Sequence, residues 1–472
     1  MSSLSKACAA PARVGLHRVF WRVHFWAGLI TAPIVLFAAA TGLLYVFTPQ
    51  IEAHWHAGVD RVPVGVSHQP LDAQWAAARQ AAPGWVPRSI VPGHALGQTT
   101  QVLFAAPPAH AADYSAPAAG HAAHGAKAAK AQTEHDHGLP TGRIVYIDPY
   151  TAQVVGSLAE MDRFKTWSKK LHSSALQGNG WRWLIELAAS WMLVMLATGI
   201  TMGWPRSRAQ GGPGWRALVP RLGRGRASWR DGHAAVGVLM SSLLLVVLVT
   251  GLTWSRHAGD NFRAAQQALG QASPKVPQDL RSTGAEVPGA SVSLQSVFDS
   301  ARAEMHKAGG ASLPLQITGP KGAQGVWRVD SLVGHRPGQR LTLALDAGTS
   351  QVLYRSGWDE LPVLAKATAV GIPFHRAEFG VWNQVVLALA ALAAIFSVVS
   401  GFVMWWQRRP DGHIAVPGVT AHQVRAVPLR LWGLTLVMAC AMPVFGISLA
   451  LLVTLEFVAA AWRMRRHATA AA

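Results

Sequence analysis

The sequence predicts an α-helical membrane protein with four core transmembrane helices in two duplicated units. A C-terminal fifth span or re-entrant hairpin and two α+β domains on one side of the membrane complete it. Three observations carry this reading: five long apolar segments, a set of landmarks that recurs at a nearly constant offset, and two long connections patterned as short strands around a helix. Composition agrees. Half of the 472 residues are hydrophobic and 14% are charged, against about 25% charge in soluble domains. A disordered chain, a collagen and a nucleic-acid-binding domain are excluded. The net charge of +19 lies beside apolar runs, so the acidic partner it calls for is an anionic lipid surface. Cys8 and Cys440 are the only cysteines. A disulfide framework, a CxxC knuckle, a thiolate iron–sulfur set and a CxxCH attachment are thereby ruled out.

The spans follow from length, since about 20 apolar helical residues cross the ~30 Å hydrocarbon core. They are Trp26–Phe47, Leu187–Trp204, Ala234–Ser255, Phe379–Gln407 and Leu431–Leu455. The first run exceeds the ~7–15 residues of a signal-peptide core. Trp21, Trp26, Trp183, Trp204, Trp229, Trp254, Trp382, Trp405 and Trp406 bracket these segments as an interfacial belt does. Seven arginines and no acid between Pro205 and Arg230, together with Lys6, Arg13, Arg18, Arg22, Arg408, Arg409 and Arg425, place those connections in the cytoplasm by the positive-inside rule. The fifth segment is broken near Pro443 and Gly446. Its basic tail, Arg463, Arg465 and Arg466, argues for a cytoplasmic C-terminus, which a kinked or re-entrant hairpin at Pro443 would give and a single crossing would not, although each half of such a hairpin is short.

The chain accordingly divides into a cytoplasmic N-terminus with the first span (1–48), an outer domain (49–170) and the second span (171–204). An Arg-rich loop (205–232), the third span (233–255), a second outer domain (256–374) and the fourth span (375–407) follow. A cytoplasmic loop (408–428), the fifth span or hairpin (429–462) and the tail (463–472) end it. Duplication is read from His24 with Thr41-Gly42 against His233 with Thr250-Gly251, and from His172 with Thr198-Gly199 against His375 with Ser400-Gly401. The runs from Asp148 to Val154 and from Asp346 to Val352 share D-x-x-T-x-Q-V, and offsets throughout are 198 to 209 residues. Each outer domain has a helix, Leu71–Ala82 or Leu294–Lys307, and strands joined at D-x-x-T hairpins whose Asp caps its own backbone. Pro107–Leu139 is an insertion rich in Ala, Gly, Pro and His, of disordered composition.

Ionisable residues at spans are functional hypotheses by default. His24 and His233 open the first and third spans; His172 and His375 lie just before the second and fourth, on the opposite side. They form one pair per leaflet, and two imidazoles on facing helices can hold one iron from both sides. Without usable cysteines the cofactor is two non-covalent, bis-histidine haem b groups. Gly28, Gly199, Gly237, Gly251 and Gly380 would let a flat macrocycle approach the backbone. The plainer alternative is four interfacial histidines solvated by headgroups. Zinc lacks further ligands at helical spacing. His17, two turns before His24, is the second-choice inner ligand, and Glu378 reads as a cap or salt-bridge residue. His110, His121, His124, His135 and His137 in the insertion are a possible weak metal site.

These residues resemble the PepSY-associated transmembrane family of bacterial inner-membrane proteins, which includes ferric-siderophore reductases of the FoxB type. The resemblance covers about residues 15–410. It is carried by His24-Phe-Trp-Ala-Gly-Leu, by Leu171-His172-Ser-Ser-Ala-Leu with Glu186-Leu-Ala-Ala-Ser-Trp191, by Asp231-Gly-His233, by Phe374-His375-Arg376, and by the Thr-Gly and Ser-Gly dipeptides. It implies periplasmic PepSY-like outer domains and haem ligation by His24, His172, His233 and His375. It also implies reduction of a ferric siderophore, Fe(III) to Fe(II), in the periplasm for iron uptake. No GxGxxG after a strand and no Walker loop occurs, so no flavin or nicotinamide site is recognised. The electron donor is then separate, a quinol or a cytoplasmic reductase. Two other classes stay open: a non-redox PepSY module for assembly, sensing or binding, and a metal or siderophore transporter. The His-rich insertion and the very basic second loop depart from the family pattern.

Overall fold

The computed structural model describes residues 4–107, 139–203, 219–220, 223, 225–282, 292–309, 313–322, 324–332, 334–409, 416 and 418–471, with side chains in those ranges between 16 and 462. The insertion histidines 110, 121, 124, 135 and 137 and most of the Arg-rich loop lie outside the described residues. Helices in chain order are α1 Leu4–Val46, α2 Thr48–Trp55, α3 Ala57–Asp60, α4 Leu71–Ala81, α5 Phe164–Ser174, α6 Trp183–Gly203 and α7 Arg226–Leu252. They continue with α8 His257–Ala268, α9 Leu294–Lys307, α10 Val363–His375, α11 Val381–Trp406, α12 Ala421–Arg425, α13 Leu429–Ala441 and α14 Pro443–Ala471. The strands are β1 Val86–Val91, β2 Thr100–Ala105, β3 Arg143–Ile147, β4 Val154–Ala159, β5 Leu315–Thr318, β6 Trp327–Ser331, β7 Leu341–Leu345 and β8 Val352–Gly357.

Among the described residues, five helices are long and apolar enough to cross a membrane: α1 from Leu16, α6, α7, α11 and Pro443–Trp462 of α14. The chain is a multi-pass membrane protein. Four of them close a ring, in which α1 packs on α6 and α11, and α7 packs on the same two. The repeats therefore interleave, each contributing one helix to either diagonal. Buried Leu244, Ala390 and Ala394 fill part of the ring, where alanines on α11 allow close packing.

The fifth segment is a hairpin. Cys440 and Ala441, at the end of α13, accept hydrogen bonds from Asn261 of α8, beside the far end of α7. Glu456 on α14 instead pairs at 2.7 Å with Arg22 near the start of α1. So the Met442–Pro443 turn and Glu456 lie at opposite ends of the bundle, and α14 returns toward the end from which α1 starts. Pro443 opens α14, where its missing N–H costs nothing. Gly446 presses against Ala439: an added Cβ would sit 2.8 Å from the Ala439 carbonyl. Trp191 of α6 donates to Ser448 at 2.9 Å, fastening the hairpin to the ring.

The two extramembrane units form a single antiparallel sheet of order β4-β3-β2-β1-β5-β6-β7-β8. The repeats join at its centre, where Ser89 and Ile90 pair with Thr318 and Ile317. Sequence patterning missed β5, four residues of Leu-Gln-Ile-Thr, and with it the seam. Helices α4 and α9 pack against the sheet and each other, burying Ile90, Val102, Phe104, Val297, Met305, Ile317, Val329 and Leu343 completely or nearly so. The two helices also cap each other across the repeats. Asp72 accepts from the Leu294 and Gln295 amides at 2.8 and 3.1 Å, and Gln295 accepts from the Leu71 amide at 3.0 Å. Each cap satisfies orphan amides of the partner helix. Both D-x-x-T turns have the inferred form. Asp148 accepts from Tyr150, and Asp346 from Gly348, each at 2.8 Å. Ala152 and Ser350 are left-handed at matching places, with φ of 57° and 58°.

Candidate functional site: two histidine pairs at opposite ends of the bundle

His24 and His233 project from α1 and α7, the helices on one diagonal of the ring, near the arginine-bearing end. Their ring centroids are 6.3 Å apart with planes at 85°. His172 and His375 come from α5 and α10, short helices seated at the domain end. Their centroids are 6.5 Å apart with planes at 49°. The first is called here the inner pair and the second the outer. Thr41, which contacts His172, follows His24 by 17 residues on α1, a rise of about 26 Å. The pairs are thus nearly a hydrocarbon thickness apart. His17 lies two turns before His24, ~10 Å back along α1, and belongs to neither pair.

Every imidazole is held by the same device. His24 Nδ1 lies 3.0 Å from the Thr198 hydroxyl, and His172 Nδ1 lies 3.0 Å from that of Thr41. His233 Nδ1 lies 2.9 Å from Ser400, and His375 Nδ1 lies 3.4 Å from Thr250 and 3.0 Å from the Val247 carbonyl. The glycine after each hydroxyl residue is the seat of the ring. A Cβ at Gly42 or Gly199 would lie 3.3 Å from the imidazole Cε1, at Gly251 2.9 Å, and at Gly401 3.7 Å. This corrects the role expected for Gly199 and Gly251, which admit an imidazole rather than a macrocycle. Gly380 serves as the N-cap of α11 at φ 85°. Gly28 and Gly237 follow His24 and His233 by one turn. Gly237 faces open space, and Gly28 has one neighbour, the Met195 sulfur at 3.8 Å. These two alone keep the expected form.

The donor set fits a haem in each pair. An imidazole–metal bond is about 2.0–2.1 Å and the ring centre lies ~1.1 Å farther out, so two imidazoles facing one ion have centroids ~6.3 Å apart. Both pairs have that spacing. Among the described residues no cluster of three His, Cys, Asp or Glu is gathered to hold a metal ion.

Charged groups around the outer pair hold the helices that carry it. Arg163, immediately before α5, pairs with Glu52 of α2 and, at 2.7 Å, with Asp60 of α3. Burial opposes its charge, but the bond to Asp60, with Tyr146 and Glu52 nearby, outweighs that and holds the guanidinium above its ordinary range. Burial also pushes the Tyr146 phenol, which accepts from Arg163, up to about 12. Glu378 is a salt-bridge residue, 2.6 Å from Arg376. The fully buried Glu186 caps α8 by accepting from the His257 and Ala258 amides, both at 2.9 Å. At the matching place on α11, Gln384 donates to the Val46 carbonyl at 3.0 Å. Each repeat thus grips the chain leaving the other repeat's first span. Sequence reasoning used the Thr-Gly and Ser-Gly dipeptides as landmarks and missed the hydroxyls as histidine partners. The available signal was a hydroxyl before all four glycines, kept even where threonine becomes serine.

A helical bundle with paired histidines at both ends and a domain over one end defines a class of integral membrane protein. Residues 21–408 match the PepSY-associated TM region, and the chain belongs to that family. No curated protein matches the chain.

Proposed function

We propose that the protein is a di-haem electron-transfer protein of the bacterial inner membrane that reduces ferric siderophore in the periplasm. The carrying observation is that two histidine pairs with bis-axial spacing stand at opposite ends of one bundle. His24 and His233 would hold one haem b, His172 and His375 the other. When bound, such haems supply one-electron redox chemistry at potentials set by their ligands and burial. The chain's own contribution is to fix ring positions through hydroxyls and glycines, and to keep water from the ring interior with Leu244, Ala390 and Ala394. The arginine end faces the cytoplasm by the positive-inside rule, with Arg22, Arg226, Arg408 and Arg409 near the lipid headgroups. The domain end, with the outer pair beneath it, then faces the periplasm.

Ferric siderophores hold Fe(III) through hard oxygen donors, and reduction to Fe(II) weakens that preference. One electron per iron is required, and a separate quinol or cytoplasmic reductase supplies it. The test is direct. Purified full-length protein is assayed for haem by pyridine haemochrome, reduced with dithionite, and mixed with ferric siderophore and a ferrous chelator. Two haems per chain and Fe(II) capture are expected. Absence of haem overturns the reading in favour of a non-redox module.

A further inference from the structure

We infer that Thr41, Thr198, Thr250 and Ser400 lock their histidines into the Nδ1–H tautomer, so that Nε2 is the ligand atom at all four positions. The role assigned to Nε2 rests on the haem reading above; the tautomer itself does not. A hydroxyl has one proton to give. In each case it goes to the carbonyl one turn earlier: Thr41 to Phe37 at 2.8 Å, Thr198 to Val194 and Thr250 to Val246 at 2.7 Å, and Ser400 to Phe396 at 2.6 Å. The oxygen can then only accept, and Nδ1 must donate. A second acceptor repeats the demand. This holds at His375, where Nδ1 faces the Val247 carbonyl at 3.0 Å, one turn before Thr250. A carbonyl accepts only, so turning the hydroxyl proton toward the ring would set a nitrogen lone pair against that oxygen.

A neutral imidazole has a single N–H, and with Nδ1 protonated the lone pair is on Nε2. The hydroxyls are positioning residues, acting on the iron through the ring. A donated Nδ1–H makes the ring more electron-rich and favours the ferric state, as outer-sphere partners of ligating histidines do. Ser400 shows that the methyl group is dispensable. Thr198→Ser is therefore expected to keep the function of the wild-type residue and Thr198→Val to lose it.

Two measurements test the lock. In the full-length chain produced without haem and labelled with ¹⁵N-histidine, the ring shifts are expected to show protonated Nδ1 and unprotonated Nε2 for all four residues. An Nε2–H form at any of them overturns the lock there. In haem-loaded protein, Thr198→Val is expected to raise the inner midpoint potential. The ferric-to-ferrous preference should fall by up to tenfold, ~59 mV for one electron, with the outer potential unmoved and Thr198→Ser restoring the wild-type value. An unmoved inner potential, or no rescue by serine, overturns the role. Should Thr198→Val fail to fold, Thr250→Val gives the same readout on the outer potential. A wild-type chain without haem fails the electron-transfer reading, while the ¹⁵N measurement still decides the tautomer.

Discussion

The inner and outer histidine pairs have the same spacing but are built on different supports. His24 and His233 are part of α1 and α7, so the helices that cross the membrane fix their rings directly. His172 and His375 are on α5 and α10, which end against the ring; Arg163 ties the start of α5 to α2 and α3 of the domain through Glu52 and Asp60, while Arg376 pairs with Glu378 just beyond α10. The hydroxyls are reversed accordingly: they come from α6 and α11 for the inner pair and from α1 and α7 for the outer. A duplicated unit has thus produced two equivalent sites whose rigidity comes from different parts of the molecule. The inner site depends on the bundle, and the outer site on the bundle and the domain together.

Removing a ligand gives the largest effect. His233→Ala is expected to leave one haem per chain, at the outer pair, and His172→Ala one at the inner pair, read by pyridine haemochrome and low-temperature spectra. Only the His172 variant should lose reoxidation by ferric siderophore from the dithionite-reduced state. Full haem content in either variant breaks the comparison at its root.

The next test separates the supports. Arg163→Met leaves Glu52 and Asp60 without their cation, and breaking a buried pair costs about 3–5 kcal/mol. Because the loss falls on α5, haem should leave the outer pair while the inner spectrum persists to the wild-type melting temperature. Equal loss from both pairs would show that the domain braces the whole bundle.

Much of this was legible in the sequence, for identifiable reasons. The spans are apolar along their whole length, and His24, His172, His233 and His375 stand out because histidine is rare there and recurs with the repeat. The single sheet was not legible. Its seam is two residue pairs between Ser89–Ile90 and Ile317–Thr318, more than 220 residues apart in the chain, and no local pattern records such a pairing. The hairpin was half legible, since Pro443 marks the break, whereas the contacts of Asn261 and Arg22 that set its direction are tertiary. The hydroxyls were visible as letters only. Their bonds to the preceding turn and to a ring on another helix exist only after packing.

A smaller effect sharpens the comparison between equivalent glycines. Gly251→Ala would bring a Cβ to 2.9 Å from the His375 ring, and Gly401→Ala to an ordinary 3.7 Å from that of His233. Overpacking of this kind costs about 1–3 kcal/mol. Gly251→Ala should weaken haem retention at the outer pair in a dilution or apomyoglobin-transfer assay, and Gly401→Ala should leave the inner pair close to wild type. Equal losses would show that ring position is set by the bundle spacing rather than by these seats.

The smallest effect is expected from the His-rich insertion. Its ends are already together: Phe104 pairs with Arg143 in the β2–β3 ladder. Deleting residues 108–138 leaves six residues, Ala106, Pro107, Leu139, Pro140, Thr141 and Gly142, to join Ala105 to Arg143. That length is near the ordinary range for such connections, about 2–5 residues in hairpins and a few more elsewhere. Among the described residues no β2–β3 ladder hydrogen bond is removed, and neither histidine pair touches the segment's anchors. The deletion should therefore keep haem content, melting temperature and siderophore reduction nearly intact. It also removes His110, His121, His124, His135 and His137, whose imidazoles suit borderline divalent metals, so a modest loss of weak Cu(II) or Zn(II) binding by calorimetry is expected. Loss of haem in this variant, with all four paired histidines present, would mean that the insertion braces the domain end, and the outer pair would then rest on a third support.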